Sequence, residues 1–236
     1  MKNQYFGDIN DYRKYGLIRA ILRAGKFRLL VAWMLTPDDG SIDGKFTGYL
    51  RAPDIWQRYD GELYNGIQSL LSRRGTRRVL LIENTSLLPQ AKFFSHIVPE
   101  QRDDRKFWAD ELLQSASESD FVFLDPDNGL EVKSKPYGRK GSSKYLYRQE
   151  VTELWEREKS LLIYQHFCRQ KRQIFIHEKL HVLQQHTSGS TIEAFVTPHV
   201  LFLLALQPTH QQYRRAIVAD VKRNWGEQIL RWKEAA

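Results

Sequence analysis

Four short runs of the chain are apolar along their whole length, and helix-length patterns separate them. They are "RLLVAWML" (28–35), "RRVLLIEN" (77–84), "DFVFLDPDNG" (120–129) and "SLLIYQHF" (160–167). None shows the in–out alternation of a strand with one solvated face. A strand without that alternation has to be covered on both sides, and intervening helices are the usual cover. The pattern therefore predicts an α/β fold: a mostly parallel central sheet with helices on both faces.

The intervening segments fit. Residues 10–24 place Tyr15, Ile18 and Leu22 at helical spacing. Residues 54–74 carry Ile55, Tyr59, Leu63, Ile67, Leu70 and Leu71 on one stripe, with Gly75 as the stop. Further helices are expected at 103–116, 146–158, 169–186 and about 211–234, with a weaker strand at "FFSHIV" (93–98). "EAFVTPHVLFLLAL" (193–206) reads as two strands joined by a Thr-Pro-His turn, an antiparallel pair at one edge. One α/β domain over residues 1–236 is expected, with residues 1–25 as an N-terminal helical extension. The Gly-, Ser- and Lys-rich stretch 133–145 is expected as a mobile basic loop.

No apolar run approaches the roughly 20 residues needed to cross a bilayer, and the polar "MKNQYFGDIN" opening has no apolar signal region. Cys168 is the only cysteine. A cytoplasmic protein with no membrane partner is the expectation. Lys and Arg total 36 against 28 Asp and Glu, a formal charge of +8. That excess favours a polyanionic partner, RNA or DNA.

In open parallel sheets ligands bind outside the carboxyl ends of the strands. Here those ends carry "TPDDG" (36–40), Glu83, "DPDNG" (125–129) and "YQHF" (164–167). Three deliver acids, and the fourth delivers Gln165 and His166. Acidic turn residues are common for local reasons, because Asp and Asn cap helices and Pro followed by Gly suits a type I turn. Acids or polar donors at all four predicted strand ends point to a shared site.

"LDPDNG" resembles the Asp-Pro-Pro-Tyr signature of S-adenosylmethionine-dependent amino-methyltransferases, with the second proline and the aromatic residue replaced. The order of elements is similar to the class I methyltransferase fold, a Rossmann-like arrangement that closes on an antiparallel strand pair. The chain is distantly similar to the bacterial 23S rRNA adenine-N6 methyltransferase family, whose opening motif matches "GDINDYRKY" at Gly7, Asp11 and Lys14. It also resembles a bacterial group of unassigned activity that shares the same opening with "WMLTPDDG" and "DPDNGLE". The resemblance implies a methyltransferase-like protein with S-adenosylmethionine as cofactor. It implies Asp125 as acceptor for the target group, Asp127 and Asn128 shaping the pocket, and Gln165 and His166 on the substrate side. On the cofactor side it implies Asp11, Lys14, Thr36, Asp38, Asp39, Gly40 and Glu83, with Glu83 suited to ribose hydroxyls. The "TPDDG" turn departs from the Gly-rich form by offering only Gly40, and Pro37 removes an amide donor. Asn128 cannot stack on a flipped base, so an exocyclic base amine is not implied as the target.

Other chemistries compete. Asp125, Asp127, Glu131 and Lys133 could hold Mg²⁺ and activate water as a metal-dependent nuclease, with Asp38, Asp39 and Asp43 as further ligands. "HEKLH" (177–181) fits the zinc pattern His-Glu-x-x-His, although Ile176, Leu180 and Leu183 make that helix a covering one. Cys168 beside Arg169 and His166 could be an activated thiol, but a small packing residue is the simpler role. Finally, Lys133, Lys135, Arg139, Lys140, Lys144 and Arg148, interleaved with Tyr137, Tyr145 and Tyr147, have the composition of a nucleic-acid contact loop. That composition also suits a catalytically inactive binding module.

Overall fold

A computed structural model describes residues 1–40, 44–74 and 77–233. In chain order its elements are α1 (Ile9–Ala24), β1 (Leu29–Ala32), α2 (Pro53–Trp56), α3 (Gly61–Arg74), α4 (Leu80–Glu83), β2 (Lys92–Phe94), α5 (Arg102–Ser115), β3 (Phe121–Leu124), β4 (Gly129–Leu130), β5 (Tyr145–Leu146), α6 (Arg148–Glu156), β6 (Ser160–His166), α7 (Arg172–His186), β7 (Thr191–Val196), β8 (Val200–Leu206), α8 (Arg214–Trp225) and β9 (Leu230–Arg231). Among the described residues the main sheet runs β2-β1-β3-β6-β8-β7-β9. The pairs β1–β2, β1–β3 and β3–β6 are parallel; β6–β8, β7–β8 and β7–β9 are antiparallel. This is a Rossmann-like α/β architecture with an antiparallel strand pair near its C-terminus.

The double coverage follows from the apolar strands. One sheet face presents Leu29, Val31, Phe121, Phe123, Leu162 and Phe202 to a core shared with α1, α3 and α8. The other presents Leu30, Val122, Leu124, Leu161 and Ile163 to a core shared with α5, α6 and α7. Each large side chain so buried contributes about 1.5–3 kcal/mol. Helix α1 is part of the first core. Asp8 caps it by accepting from Asn10 N at 2.8 Å, and Gly16 lets Trp225 of α8 lie against its backbone. A Cβ at position 16 would stand 2.1 Å from the indole.

Three expectations are corrected. Residues 77–84 are not a strand; Leu80–Glu83 form a single helical turn, with Val79, Leu81 and Ile82 buried and Leu80 exposed. The strand beside β1 is β2, overlapping the weaker run at "FFSHIV". A short apolar run is compatible with either element, and periodicity cannot separate them. The predicted helix at 54–74 breaks at Asp60, whose carboxylate accepts from Leu63 N at 3.1 Å to start α3; the stop expected at Gly75 lies outside the described residues. The last helix ends at Trp225, and Leu230–Arg231 pair with β7. The antiparallel pair β7–β8 lies at one end of the sheet as expected, with only the two-residue β9 beyond β7 among the described residues.

The basic loop is tethered. Gly141 N donates to Glu100 Oε1 at 2.6 Å, and Tyr147 OH donates to Lys135 O at 2.9 Å. Strand β5, which ends the loop, pairs in parallel with β4, which precedes it. Among the described residues no helix is long and apolar enough to cross a membrane.

Candidate functional site

The strand order reverses between β1 and β3: β2 lies beyond one and β6 beyond the other. A crevice outside the carboxyl ends of the strands is expected at such a switch point. Thr36 follows β1, and Asp125 and Asp127 follow β3. Thr36 Oγ1 donates to Asp127 Oδ2 at 2.6 Å, joining the two strand ends. Asp11 and Lys14 enter from α1. Lys14 Nζ lies 2.7 Å from Asp11 Oδ1 and 2.6 Å from Asp125 Oδ2. The rings of Tyr15, Trp33 and Tyr164 surround the same ammonium at 5.3–5.5 Å. Asp11 is fixed further by Gly7 N at 3.0 Å and Tyr15 OH at 3.3 Å, both donating to its Oδ2.

Met1 completes the cluster. Its ammonium stands 2.7 Å from Asp127 Oδ1 and donates to Met34 O at 3.1 Å and Asp125 O at 2.9 Å. Met34 has φ +47°, a left-handed conformation costly for a residue with a side chain, and its carbonyl is one of the three oxygens around that ammonium. Lys2, next in the chain, ion-pairs with Asp39.

Burial and pairing pull these groups in opposite directions. Burial alone would depress the Lys14 ammonium, but Asp11 and Asp125 outweigh it and hold its pKa above the ordinary lysine value. Burial pushes the carboxyls of Asp11 and Asp125 up, with Lys14 opposing. Asp127 is held below the usual range: burial raises it, but the Met1 ammonium and the Thr36 hydroxyl more than offset that.

The cluster forms the inner wall of a cavity of about 420 Å³, within the size range of small-molecule sites. Asp11, Lys14, Asp125 and Tyr164 are buried there, while Phe46, Lys144, His166 and His199 are exposed at its edge.

Of the predicted catalytic set, Asp125, Asp127, Asn128 and His166 line this cavity. Gln165 is not on its wall. Its Oε1 accepts from Leu130 N at 2.8 Å, and its Nε2 donates to Asn128 O at 2.8 Å and His166 O at 3.0 Å. It holds the Asp-Pro-Asp-Asn-Gly loop from behind. Of the predicted cofactor set, Asp11, Lys14 and Asp39 line the cavity, and Thr36 acts through Asp127. Asp38 accepts from Gln4 N at 3.1 Å at the surface, and Gly40 sits at φ +68° with open space around it. Glu83 is displaced from its expected place because no strand precedes it. Its Oε1 accepts from Trp33 Nε1 at 2.7 Å and Ser95 Oγ at 2.6 Å, away from the cavity wall.

Of the predicted nucleic-acid set, Lys144 reaches the cavity edge, and Lys133, Lys135, Arg139 and Lys140 are exposed on the tethered loop. Arg148 ion-pairs with Glu131 at 2.9 Å and, with Lys133 and Lys135, lines a separate groove of about 200 Å³. The nuclease set is thereby divided: Asp125 and Asp127 face the cavity, Glu131 and Lys133 the groove, and Asp43 lies outside the described residues. His177 and His181 are on the exposed face of α7, and Cys168 is exposed. Among the described residues no group of three or more His, Cys, Asp or Glu is placed to hold a metal ion.

Sequence reasoning missed Met1, Tyr164 and His199. The signal for His199 is topological: β8 runs antiparallel to β6 with His166 opposite Val200, so the turn before β8 arrives beside the end of β6. Comparison with models of known protein families and with characterised proteins finds no match for this chain. Its chemistry therefore has to be read from the cavity.

Proposed function

We propose that the chain is an S-adenosylmethionine-dependent, methyltransferase-like protein acting on nucleic acid, with the switch-point cavity serving cofactor and target together. The observation that carries this reading is the convergence of Asp11, Lys14, Thr36, Asp125 and Asp127 at one reversal of strand order. The antiparallel β8 between β6 and β7 supports it as well. The residues present fit an amine-bearing cofactor. Three oxygens, from Met34, Asp125 and Asp127, already surround a primary ammonium. An amino-acid end binding there would replace Met1 at those oxygens. When bound, the cofactor supplies an electrophilic methyl group. The chain's own part is to orient and to accept protons: Asp127 anchors the ammonium, Asp125 faces the acceptor, and Lys14 sets the charge of Asp125. Glu83, engaged by Trp33 and Ser95, has no role here.

Titration calorimetry with S-adenosylhomocysteine tests the reading. Heat is expected from the wild type and none from Asp127→Asn; a flat wild-type titration ends it. One observation favours the second reading, a binding module without transfer: the Asp125 carboxylate is already engaged by Lys14. Salt-sensitive oligonucleotide binding without cofactor heat would select that alternative. The metal-dependent nuclease, with Mg²⁺ as its ion, has its four side chains on two separate hollows, and nicking of supercoiled DNA on Mg²⁺ addition would be needed to revive it.

A further inference from the structure

The carboxylates of the cavity's inner wall, Asp11, Asp125 and Asp127, are paired with the ammonium groups of Lys14 and Met1, while the exposed edge carries Lys144, His166 and His199. These three come from separate parts of the chain, and each backbone is held. Lys144 O accepts from Asn128 N at 2.9 Å, tying it to the Asp-Pro-Asp-Asn loop. His166 O accepts from Gln165 Nε2 at 3.0 Å, and the residue ends a strand paired with β8. His199 N donates to Thr197 Oγ1 at 3.3 Å, and His199 O accepts from Phe167 N at 3.4 Å. Among the described residues no carboxylate forms an ion pair with any of the three. Groups able to carry positive charge, on anchored backbone at a cavity mouth and without acidic ion-pair partners, suit an anion that straddles that mouth.

We infer that Lys144, His166 and His199 clamp a backbone phosphate of the nucleic acid, so that the adjoining nucleoside enters the cavity. This rests on the reading above only in taking nucleic acid as substrate. The basic loop leads to the clamp, since Lys133, Lys135, Arg139 and Lys140 precede Lys144 on the same tethered segment. An imidazole holds a phosphate best as imidazolium, so the clamp tightens as the pH falls. Partial desolvation of the ring lowers the pKa of His166; a hydrogen bond with the Phe167 backbone opposes this, His199 adds to it, and Asp127 and Asp8 oppose it again. The remaining charged or titratable groups on this cavity are Lys2, Tyr5 and Asp39, with Tyr164, Lys14 and the Met1 ammonium buried deeper. His166 is therefore held below the ordinary imidazole value, and a phosphate beside it favours its protonation.

The test is fluorescence anisotropy of a labelled single-stranded oligonucleotide at constant ionic strength, at pH 7.5 and pH 5.5. The wild type should bind about tenfold or more tightly at the lower pH, as expected for uptake of at least one proton on binding. His166→Asn with His199→Asn should remove that dependence to within about twofold, and Lys144→Gln should weaken binding at both pH values. A nucleoside monophosphate should compete better than its nucleoside, and inorganic phosphate should compete weakly; equal competition by nucleoside and monophosphate overturns the clamp. Retention of the pH dependence in the double variant overturns it, as does absence of oligonucleotide binding in the wild type. Circular dichroism melting checks that the variants fold. Calorimetry with S-adenosylhomocysteine separates this inference from the cofactor reading. A flat titration beside intact, histidine-dependent oligonucleotide binding removes the methyltransferase and leaves the clamp.

Discussion

Lys14 Nζ lies 2.6 Å from Asp125 Oδ2 with the two side chains only 1% and 3% exposed. A cation and a carboxylate removed from water together each depend on the other, because an unpaired buried charge costs far more than the pair contributes. Lys14 also pairs with Asp11, so its loss leaves two buried carboxylates without their shared cation. Lys14→Met should destabilise the fold by about 3–5 kcal/mol in urea unfolding. Adding Asp125→Asn should recover part of that loss. If Lys14→Met unfolds within about 1 kcal/mol of the wild type, the buried pair described here is not formed.

Gly129 ends the Asp-Pro-Asp-Asn loop at φ +107°, and a Cβ there would meet the Gln165 amide at 2.3 Å. Two costs combine at Gly129→Ala: a backbone conformation that L residues avoid, and a collision with the side chain that holds the loop. About 2–4 kcal/mol of stability should be lost, with weaker cofactor-analogue binding. Gln165→Ala removes the acceptor of the buried Leu130 N–H and should cost about 1–3 kcal/mol. In the Gln165→Ala background Gly129→Ala should be milder, because only the backbone strain remains. Strict additivity of the two would show that the contact is not made.

His210 Nδ1 lies 2.8 Å from Ser160 Oγ, with Phe27 and Tyr213 rings at 5.1 and 6.3 Å. Burial depresses its pKa below the ordinary imidazole value of 6.5, and Asp120 only partly opposes this. His186, beside Thr152, is likewise depressed, first by burial and then by Arg148. Between the folded and unfolded pKa values the unfolded chain binds more protons than the folded one. The stability these imidazoles contribute is complete above pH 6.5 and is lost as the pH falls through that window. The melting temperature should therefore drop from pH 7 to pH 5, and His210→Gln should flatten the drop. An unchanged slope in that variant would exclude His210 as a contributor.

The apolar runs that became β1, β3, β6 and β8 were legible because burial on both faces leaves a strand no polar positions. Asp125 and Asp127 were legible for the same reason, being the first polar residues after β3. Asp11 and Lys14 were picked out only by the resemblance of "GDINDYRKY" to a known opening motif. Residues 79–82 were not, since four consecutive apolar residues are too few to separate a helical turn from a strand. Only the pairing of β2 with β1 decides, and that contact is remote in sequence. Gln165 read as a ligand-facing amide because nothing local shows the chain doubling back through β4 and β5 to bring Leu130 N and Asn128 O against it. Met1 was invisible for a similar reason. Its partners, Met34, Asp125 and Asp127, meet only after the sheet has formed.

The tethered loop makes a quantitative prediction about nucleic-acid binding. Lys133, Lys135, Arg139 and Lys140 are exposed there, and the anchors at Glu100 and at Tyr147 tether the segment that carries them. Each cation that contacts a phosphate releases condensed counterions, giving a slope of about 0.7 in log affinity against log salt for a single strand. Replacing all four by Gln should lower the measured slope by as much as roughly 3 and weaken binding similarly for all sequences. Arg148→Gln should change the slope far less, because Arg148 already spends its charge on Glu131. Anisotropy titrations between about 50 and 200 mM salt read both effects. A quadruple variant with the wild-type slope would mean that the strand runs over a different face of the protein.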